Sequence, residues 1–445
     1  MSFSQGLSGL NAASKDLEVI GNNVANVNTV GFKGSTAQFS DIFAASLGGA
    51  GAAQIGIGTK LATVAQQFTQ GSVTTTNNPL DMAINGPGFF VLHGVNGTGY
   101  SRNGQFQVDK SGFIVTSTGQ NLQGWPAVNG VVANSGPTSN LTIPTTAIPP
   151  VASSTIKMGL NLDSRATVPA TAAFSPYDPT SYNYATTTTV YDTLGNSRID
   201  STYFKLTATP GVWNVYTTVA DPNAAATNPP TYLYPSPNPA AGAWPILGTL
   251  TFNTVTGALT SSTSTVAGAF GTAGKMGPSA AGVPPVPPFL PTFPGTATVP
   301  PMTYDFGGAT MYGATSGVTS MTVDGYTTGQ LVGYSAAANG TITGKYSNGQ
   351  TQLLGQVALA TFANNQGLQP LGDNEWAATT ASGQALTGIP GGGLNGVLQT
   401  SSVENSNVDL TAELVHMITA QRDYQANAQT IKTAETVTQT LINMR

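Results

Sequence analysis

Cysteine is absent from this chain of 445 residues. No disulfide can staple the fold, and no thiolate is available as nucleophile or metal ligand. Histidine is nearly absent too. His93 and His416 stand far apart with no partner at i+4, so each is expected on the surface of a strand or helix, and no metal site is assigned. Charge is the third shortage: Asp, Glu, Lys and Arg make up 7% of residues, against roughly 25% in ordinary soluble proteins. The formal net charge of −5 gathers into no basic patch, which argues against nucleic acid and anionic lipid as partners. No apolar run approaches the ~18 residues that span a bilayer, so direct membrane insertion is not expected. The start, Met1-Ser-Phe-Ser-Gln-Gly-Leu-Ser-Gly-Leu10, has neither the basic nor the apolar region of a cleaved secretory signal.

Catalytic constellations are missing as well. No Gly-x-Ser-x-Gly elbow, Walker loop, His-Glu-x-x-His pair or EF-hand spacing occurs. The acidic pair Asp373 and Glu375 reads as an exposed turn rather than a carboxylate dyad. Gly391-Gly-Gly-Leu-Asn-Gly396 lacks the Lys-Ser/Thr of a phosphate cradle and reads as a flexible linker. The Asn-x-Thr sequons at Asn96, Asn140 and Asn339 are what chance gives in so Asn- and Thr-rich a chain. No catalytic residue and no cofactor is assigned, and an enzyme is not expected.

What is present begins at the ends. Residues 1–28 place Phe3, Gly6, Leu10, Ala13, Leu17, Ile20, Val24 and Val27 at alternating steps of three and four. The stripe, with Leu7 beside it, predicts a helix, and its period of 3.5 predicts packing on other helices rather than on a sheet. Asn11, Lys15, Asp16, Glu18, Asn22 and Asn23 fall on the polar face. Residues 407–445 mirror this, with Asn407 or Asp409 as cap before Leu410, Leu414, Met417, Tyr424, Ala428, Ile431, Ala434, Val437 and Leu441.

Between the ends lie short β-patterned runs punctuated by Gly and Asn. One cluster runs from Ile84 to Trp125, with Asp109-Lys-Ser-Gly112 as a turn. Another runs from Leu331 to Phe362, where Asn339-Gly340 and Asn348-Gly349 are each expected to supply two positive-φ residues to a tight hairpin. Thr186–Tyr191, Ile199–Leu206 and Val212–Thr218 predict a three-stranded meander, after which the chain turns Pro-rich: 16 of its 29 prolines lie between Pro222 and Pro301. The fold class expected is multidomain α+β, with coiled-coil-like terminal helices and two mainly antiparallel β domains, the outer inserted in the inner. The boundaries read as 1–28 and 405–445 (terminal helices), 29–71 and 376–404 (connecting segment), 72–148 and 302–375 (middle β domain) and 149–301 (outer β domain with Pro-rich loops).

Leu7-Ser-Gly-Leu-Asn-Ala-Ala-Ser-Lys-Asp-Leu-Glu-Val-Ile-Gly-Asn-Asn-Val-Ala-Asn-Val-Asn-Thr-Val-Gly-Phe-Lys33 closely resembles the N-terminal signature of bacterial flagellar rod and hook proteins, with Asn22, Asn23, Ala25, Asn26, Gly31, Phe32 and Lys33 at its end. Ser406-Asn-Val-Asp-Leu410 and Gln421-Arg-Asp-Tyr-Gln-Ala-Asn-Ala-Gln-Thr-Ile-Lys432, containing Gln421, Arg422 and Tyr424, look like the matching C-terminal signature. Gly86-Pro-Gly-Phe-Phe90, Tyr100-Ser-Arg-Asn-Gly-Gln-Phe106, Tyr346-Ser-Asn-Gly-Gln-Thr-Gln-Leu-Leu-Gly-Gln356 and Ala363-Asn-Asn-Gln-Gly-Leu368 are similar to the hook members of that family.

The resemblance implies a helical homopolymer: a tubular, flexible joint that couples the basal-body rod to the filament and transmits torque. Implied partners are other copies of the chain, the distal rod protein, a hook cap protein, hook-filament junction proteins and the flagellar type III export apparatus. The implied location is extracellular, on the flagellum, without a cleaved signal peptide. A distal rod subunit, or a surface adhesin or carbohydrate-binding protein, are the alternatives. Physical chemistry points the same way for the ends. Burying Leu10, Leu17, Ile20 and Val24, at roughly 2 kcal/mol each, does not offset the entropy of ordering the helix. The expected polymerisation interface is therefore Leu7, Leu10, Ala13, Leu17, Ile20, Val24 and Val27 with Leu410, Leu414, Met417, Tyr424, Ala428, Ile431, Val437 and Leu441, ordered on assembly.

Overall fold

The computed structural model describes residues 2–42, 56–95, 97–128, 130–134, 136–220, 232–234, 244–264, 275–276 and 302–443. Most of the Pro-rich run lies outside the described residues, as does Asn96. The chain forms two compact units: Met1–Thr145, Leu331–Lys345 and Thr351–Arg445 make the first, and Thr146–Gln330 with Tyr346–Gln350 make the second, an insertion in the first.

In the first unit, helix α1 (Ser2–Ala25) pairs with helix α2 (Leu410–Asn443). The pairing is antiparallel, because Gly6 lies against Ile431, Gly9 against Asn427, and Asn23 against Glu413. Glycine at 9 permits the approach: a Cβ there would sit 2.5 Å from Asn427 Oδ1. Asp409 caps α2, its Oδ1 accepting from Thr411 N at 2.8 Å and Ala412 N at 3.3 Å. Asn407, the other candidate cap, instead reaches back to the 67–69 segment.

The period of 3.5 misleads in one respect. Besides α2, α1 packs on an antiparallel hairpin, Ser35–Ile42 with Gly58–Gln66. Gln5 Nε2 donates to Gly56 O at 2.6 Å, and Ser8 Oγ accepts from Thr59 N at 3.3 Å. Small polar residues on α1 let a sheet approach a helix edge that the apolar stripe does not mark. The hairpin was unmarked too, because neither of its strands contains a buried residue, so the period-two signal is weak.

The rest of the first unit is a large, mostly antiparallel sheet. Its main path runs Leu331–Ala336, Thr341–Tyr346, Thr351–Val357, Asn121–Val128, Phe89–Gly94, Gly97–Ser101, Glu375–Ala377 and Gln369–Gly372. Alternation splits its central strand: Phe90 and Leu92 join Met82, Ile84, Phe106 and Leu122 on one side, while Phe89 and Val91 join Tyr100, Trp125 and Trp376 on the other. The hairpin turns differ from expectation. Only Gly340 and Gly349 have positive φ, each +80°, while Asn339 and Asn348 accept from the amides two residues on. Asn serves there as a side-chain acceptor in a turn closed by one left-handed glycine. A turn with successive positive-φ residues occurs instead at Gly372-Asp373-Asn374, at +98°, +51° and +59°.

In the second unit, strands Tyr184–Tyr191, Ser197–Leu206 and Val212–Ala220 form the expected meander, extended by Gly248–Phe252 and Leu259–Ser264. A four-stranded sheet is built on Thr155–Asn161. Ile156, Met158 and Leu160 pack with Phe204, Trp213, Val215, Leu250, Tyr304 and Phe306 in one core. Thr303–Asp305 and Gly317–Val323 flank Thr155–Asn161. Residues 302–330 thus pair within the second unit, whereas the texture change at Pro301 assigned them to the middle domain. Strand partners decide the division, and they lie more than a hundred residues away. The terminal and connecting segments, read separately from the sequence, fall in the first unit together with the rest of the middle segments, while 146–148 and 346–350 join 302–330 in the second.

Candidate assembly surface and the junction beneath it

The helical pair hides one side of each helix and leaves another open. On α1, Ala13 and Ile20 are buried, and Leu10, Leu17 and Val24 are half-buried, while Phe3 and Leu7 stay exposed; Val27, expected on the helical stripe, is half-buried in the turn that follows the helix at Ala25. On α2, Glu413, Met417, Ala420, Asn427, Ala428, Ile431 and Ala434 lose exposure. Leu410, Leu414, Val415, Ile418, Tyr424 and Val437 are 38–56% exposed. The expected interface is therefore divided: Gly6 of the α1 stripe lies against Ile431, and Met417 and Ala428 are half-buried, whereas Leu410, Leu414 and Tyr424 stay exposed, as does Val437, which shares a groove with Phe3. The side chain of Leu441 lies outside the described residues. Leu410, Leu414 and Ile418, spaced by four, form a second apolar row with Val415 beside it; Ile418 and Val415 lie outside the expected stripe. Phe39, Leu61 and Val64 of the adjoining hairpin are also exposed.

A polar junction holds the base of this pair. Asn23, expected on the polar face, is 2% exposed. Its Oδ1 accepts from Ser35 N at 2.9 Å, and its Nδ2 donates to Ser35 O at 2.8 Å and Glu413 Oε1 at 3.1 Å. Chain direction changes at Gly31, whose φ is +73° and whose added Cβ would come 2.6 Å from Asn103 N. Gly31 N donates to Glu404 O at 2.7 Å. Two residues on, Lys33 Nζ reaches Glu404 Oε1 at 2.6 Å and Thr69 O at 2.8 Å. Both charged side chains are fully buried. Arg102 joins them, its Nη1 3.5 Å from Glu404 Oε2. Gly71 N donates to Glu404 Oε1 at 2.9 Å, and Asn407 Oδ1 accepts from Gly34 N at 2.8 Å. Burial holds the Lys33 ammonium below its ordinary range against the pull of Glu404, and the neighbouring Arg102 adds to the depression.

Comparison with known proteins fits this arrangement. Residues 5–33 match the family model of the flagella basal body rod protein, and 399–444 that of the flagellar basal body rod FlgEFG protein C-terminal region. Residues 83–168 match the flagellar hook protein FlgE/F/G D1 domain, and 161–326 the flagellar basal body protein FlaE D2 domain. Over the full length of both chains, the sequence is 40% identical to the flagellar hook protein FlgE of Escherichia coli K12 and 41% identical to that of Salmonella typhimurium LT2. The chain belongs to the flagellar hook protein family. A solved chain, Helicobacter pylori flagellar hook protein FlgE2, aligns with a TM-score of 0.48 at 14% identity, covering 73% of this chain and 99% of that one.

This hook subunit is a structural component of the flagellar hook and basal body, and the two rod-type matches enclose most of the junction: Asn23, Gly31 and Lys33 in one, Glu404, Asn407 and Glu413 in the other. The remaining signature residues take other places. Asn26 bridges Asn22 and Thr29 at the end of α1, Ala25 is exposed, and Phe32 is half-buried. Gln421, Arg422 and Tyr424 lie on the exposed side of α2. Glu404 and its ion pair with Arg102 escaped the sequence reading. The signal was there: with 14 Lys and Arg in the whole chain, a lysine beside an invaginating glycine turn needs an anion.

Two further readings are corrected in the hook subunit. Glu375 is no turn residue: it is 6% exposed, accepts from Gln120 Nε2, and burial pushes its carboxyl up. Gly391–Gly396 is not a loose linker. Gly391 N bonds Gly396 O at 2.9 Å, Asn395 N bonds Gly392 O at 3.1 Å, and Gly396 N bonds Pro87 O at 2.7 Å. His93 and His416 are both exposed, as expected.

Proposed function

We propose that the hook subunit polymerises through α1, α2 and the flanking hairpin into a flexible tube that joins the rod to the filament and transmits torque. The observation that carries this reading is the second apolar row on α2. Leu410, Leu414 and Ile418, with Val415, stay 43–56% exposed after the helices have paired, as do Leu7 and Phe3 at the opposite end of the pair. Large exposed apolar rows mark interaction sites, and a contact between different patches that does not close on itself propagates as an open helix. The copy-to-copy contact of the chain with itself is thus the principal partnership. Distal rod protein, cap protein and hook-filament junction proteins are the further partners at the two ends of the tube.

The role is structural and not catalytic, in keeping with the names its relatives carry. The subunit works outside the cell and is exported by the flagellar type III apparatus. The charge-poor surface suits a bending tube, since small polar contacts re-form more readily than ion pairs of fixed geometry.

The test replaces Leu414 and Ile418 by Asp. Both side chains are exposed, so urea unfolding of the monomer should change by no more than about 0.5 kcal/mol. Negative-stain microscopy at rising protein concentration should show tubes for the parent chain and none for the variant. Tubes of normal width from the double variant would refute the proposal.

A further inference from the structure

Lys33, Arg102 and Glu404 put two cations and one carboxylate into a buried site. Lys33 takes the better share of Glu404, at 2.6 Å against 3.5 Å for Arg102. The guanidinium is otherwise held only by neutral groups. Its Nη2 donates to Gly86 O at 2.9 Å, its Nη1 to Ile84 O at 3.4 Å, and it stands 5.7 Å from the centre of the Phe89 ring. Arg102 Nε is buried without a hydrogen-bond partner among the described residues. Buried donors are satisfied in the great majority of native sites, and an exception asks for an explanation. An uncompensated buried cation is costlier still.

A cleft of about 230 Å³ opens beside this cluster, lined by Phe68, Gln70, Gly86 to Phe89, Arg102 and Asn365. Among the described residues its lining contains no carboxylate. Gln70 Oε1 accepts from Gly86 N at 3.0 Å, which leaves the amide of Gln70 as a donor. Asn365 offers a second amide. Phe68 and Phe89 meet edge to face at 5.6 Å and make the remaining wall apolar.

We propose that this cleft binds a carboxylate, which pairs with Arg102 and takes the amide donors of Gln70 and Asn365. The chemistry follows from the excess positive charge, the planar guanidinium donor and the low polarity of the walls, where charge-assisted pairing is strongest. In the free subunit the carboxylate comes from solution. In the polymer it is an Asp or Glu side chain of a second copy, a source that rests on the assembly reading above.

Thermal unfolding of the full chain in sodium acetate against sodium chloride, at constant ionic strength, tests the site without polymerisation. Acetate at tenfold over its Kd should raise the Tm of the first unit by about 3 °C, and the shift should grow with the logarithm of acetate concentration. Gln70→Glu and Asn365→Asp each put a carboxylate in the cleft and leave Arg102 in place; both should abolish the acetate response. An identical Tm in acetate and chloride, or an undiminished response in both variants, overturns the proposal. The polymer arm identifies the source. Acetate that raises the critical concentration for tube growth in the parent chain, and not in Gln70→Glu, indicates displacement of a neighbour's carboxylate. Tubes that still take up ¹³C-acetate at the parent affinity indicate a solution ligand in both states.

Discussion

Asn23 and Glu413 stand 390 residues apart and share a hydrogen bond of 3.1 Å. The same asparagine exchanges bonds with both backbone groups of Ser35, as a neighbouring strand would. One side chain therefore ties the end of α1, the first strand of the hairpin and the start of α2. This position requires a group that accepts on one side and donates on the other.

Asn23→Asp should break that logic while preserving shape. A second acceptor would face Ser35 O and Glu413 Oε1, leaving buried groups unpaired at about 1–3 kcal/mol each. The urea midpoint of the first unit should fall, and fall further than for Asn23→Ala. A midpoint equal to the parent chain would show that the junction does not bear on stability.

Removing the shared anion should cost more than removing one cation. Glu404→Gln leaves Lys33 and Arg102 buried together, and breaking a buried pair costs about 3–5 kcal/mol. Lys33→Met leaves Glu404 with Arg102 at 3.5 Å and should be the milder change. Equilibrium unfolding by circular dichroism ranks the two; the reverse order would mean that Arg102 does not compensate Glu404.

The second unit should be more stable in mild acid. Asp200 is fully buried, and its hydrogen-bond donors are the hydroxyls of Thr217, Tyr304 and Thr202. Burial pushes its carboxyl up to about 6 from 3.8, against the hydroxyl bonds. The folded state then binds a proton that the unfolded chain has lost. Stability is therefore full below about 3.8 and is lost as pH rises through about 6, a loss of order 3 kcal/mol. Asp200→Asn should flatten this slope and raise the neutral-pH melting temperature of the second unit. A parent chain with no slope between those values would count against the assignment.

Hydrogen exchange should separate the helices from the β cores. The open row on α2 leaves the pair with a thin contact, so amides of α1 and α2 are expected to exchange quickly in dilute subunit and slowly in tubes. Those flanking Trp213 and Leu250 should be protected in both states. Helices as protected in the monomer as these strands would refute ordering on assembly.

How much of this was legible beforehand depends on the range of the interaction. The meander from Tyr184 to Ala220 was readable because its turns at Asp192–Asn196 and Thr209–Gly211 carry their own signals: Asp192 Oδ1 accepts from Leu194 and Asn196, and Gly195 and Gly211 have positive φ. The hairpin of residues 35–66 was not, since neither strand is buried on a face. Val415 and Ile418 were missed because a helix with two apolar rows gives no sign, within its own sequence, of which row its partner will cover.

The sequence by itself determined the helical ends, the positions of most turns, the insertion of one β unit in another and the family. All of these follow from periods and side-chain chemistry within short windows. Only the tertiary structure decided that Asn23 is buried, that Lys33 and Arg102 share Glu404, that residues 302–330 pair with Thr155–Asn161, and which face of α2 remains open. Those outcomes depend on which distant segments pack together, and desolvation at such a contact reverses what a residue's polarity alone would predict.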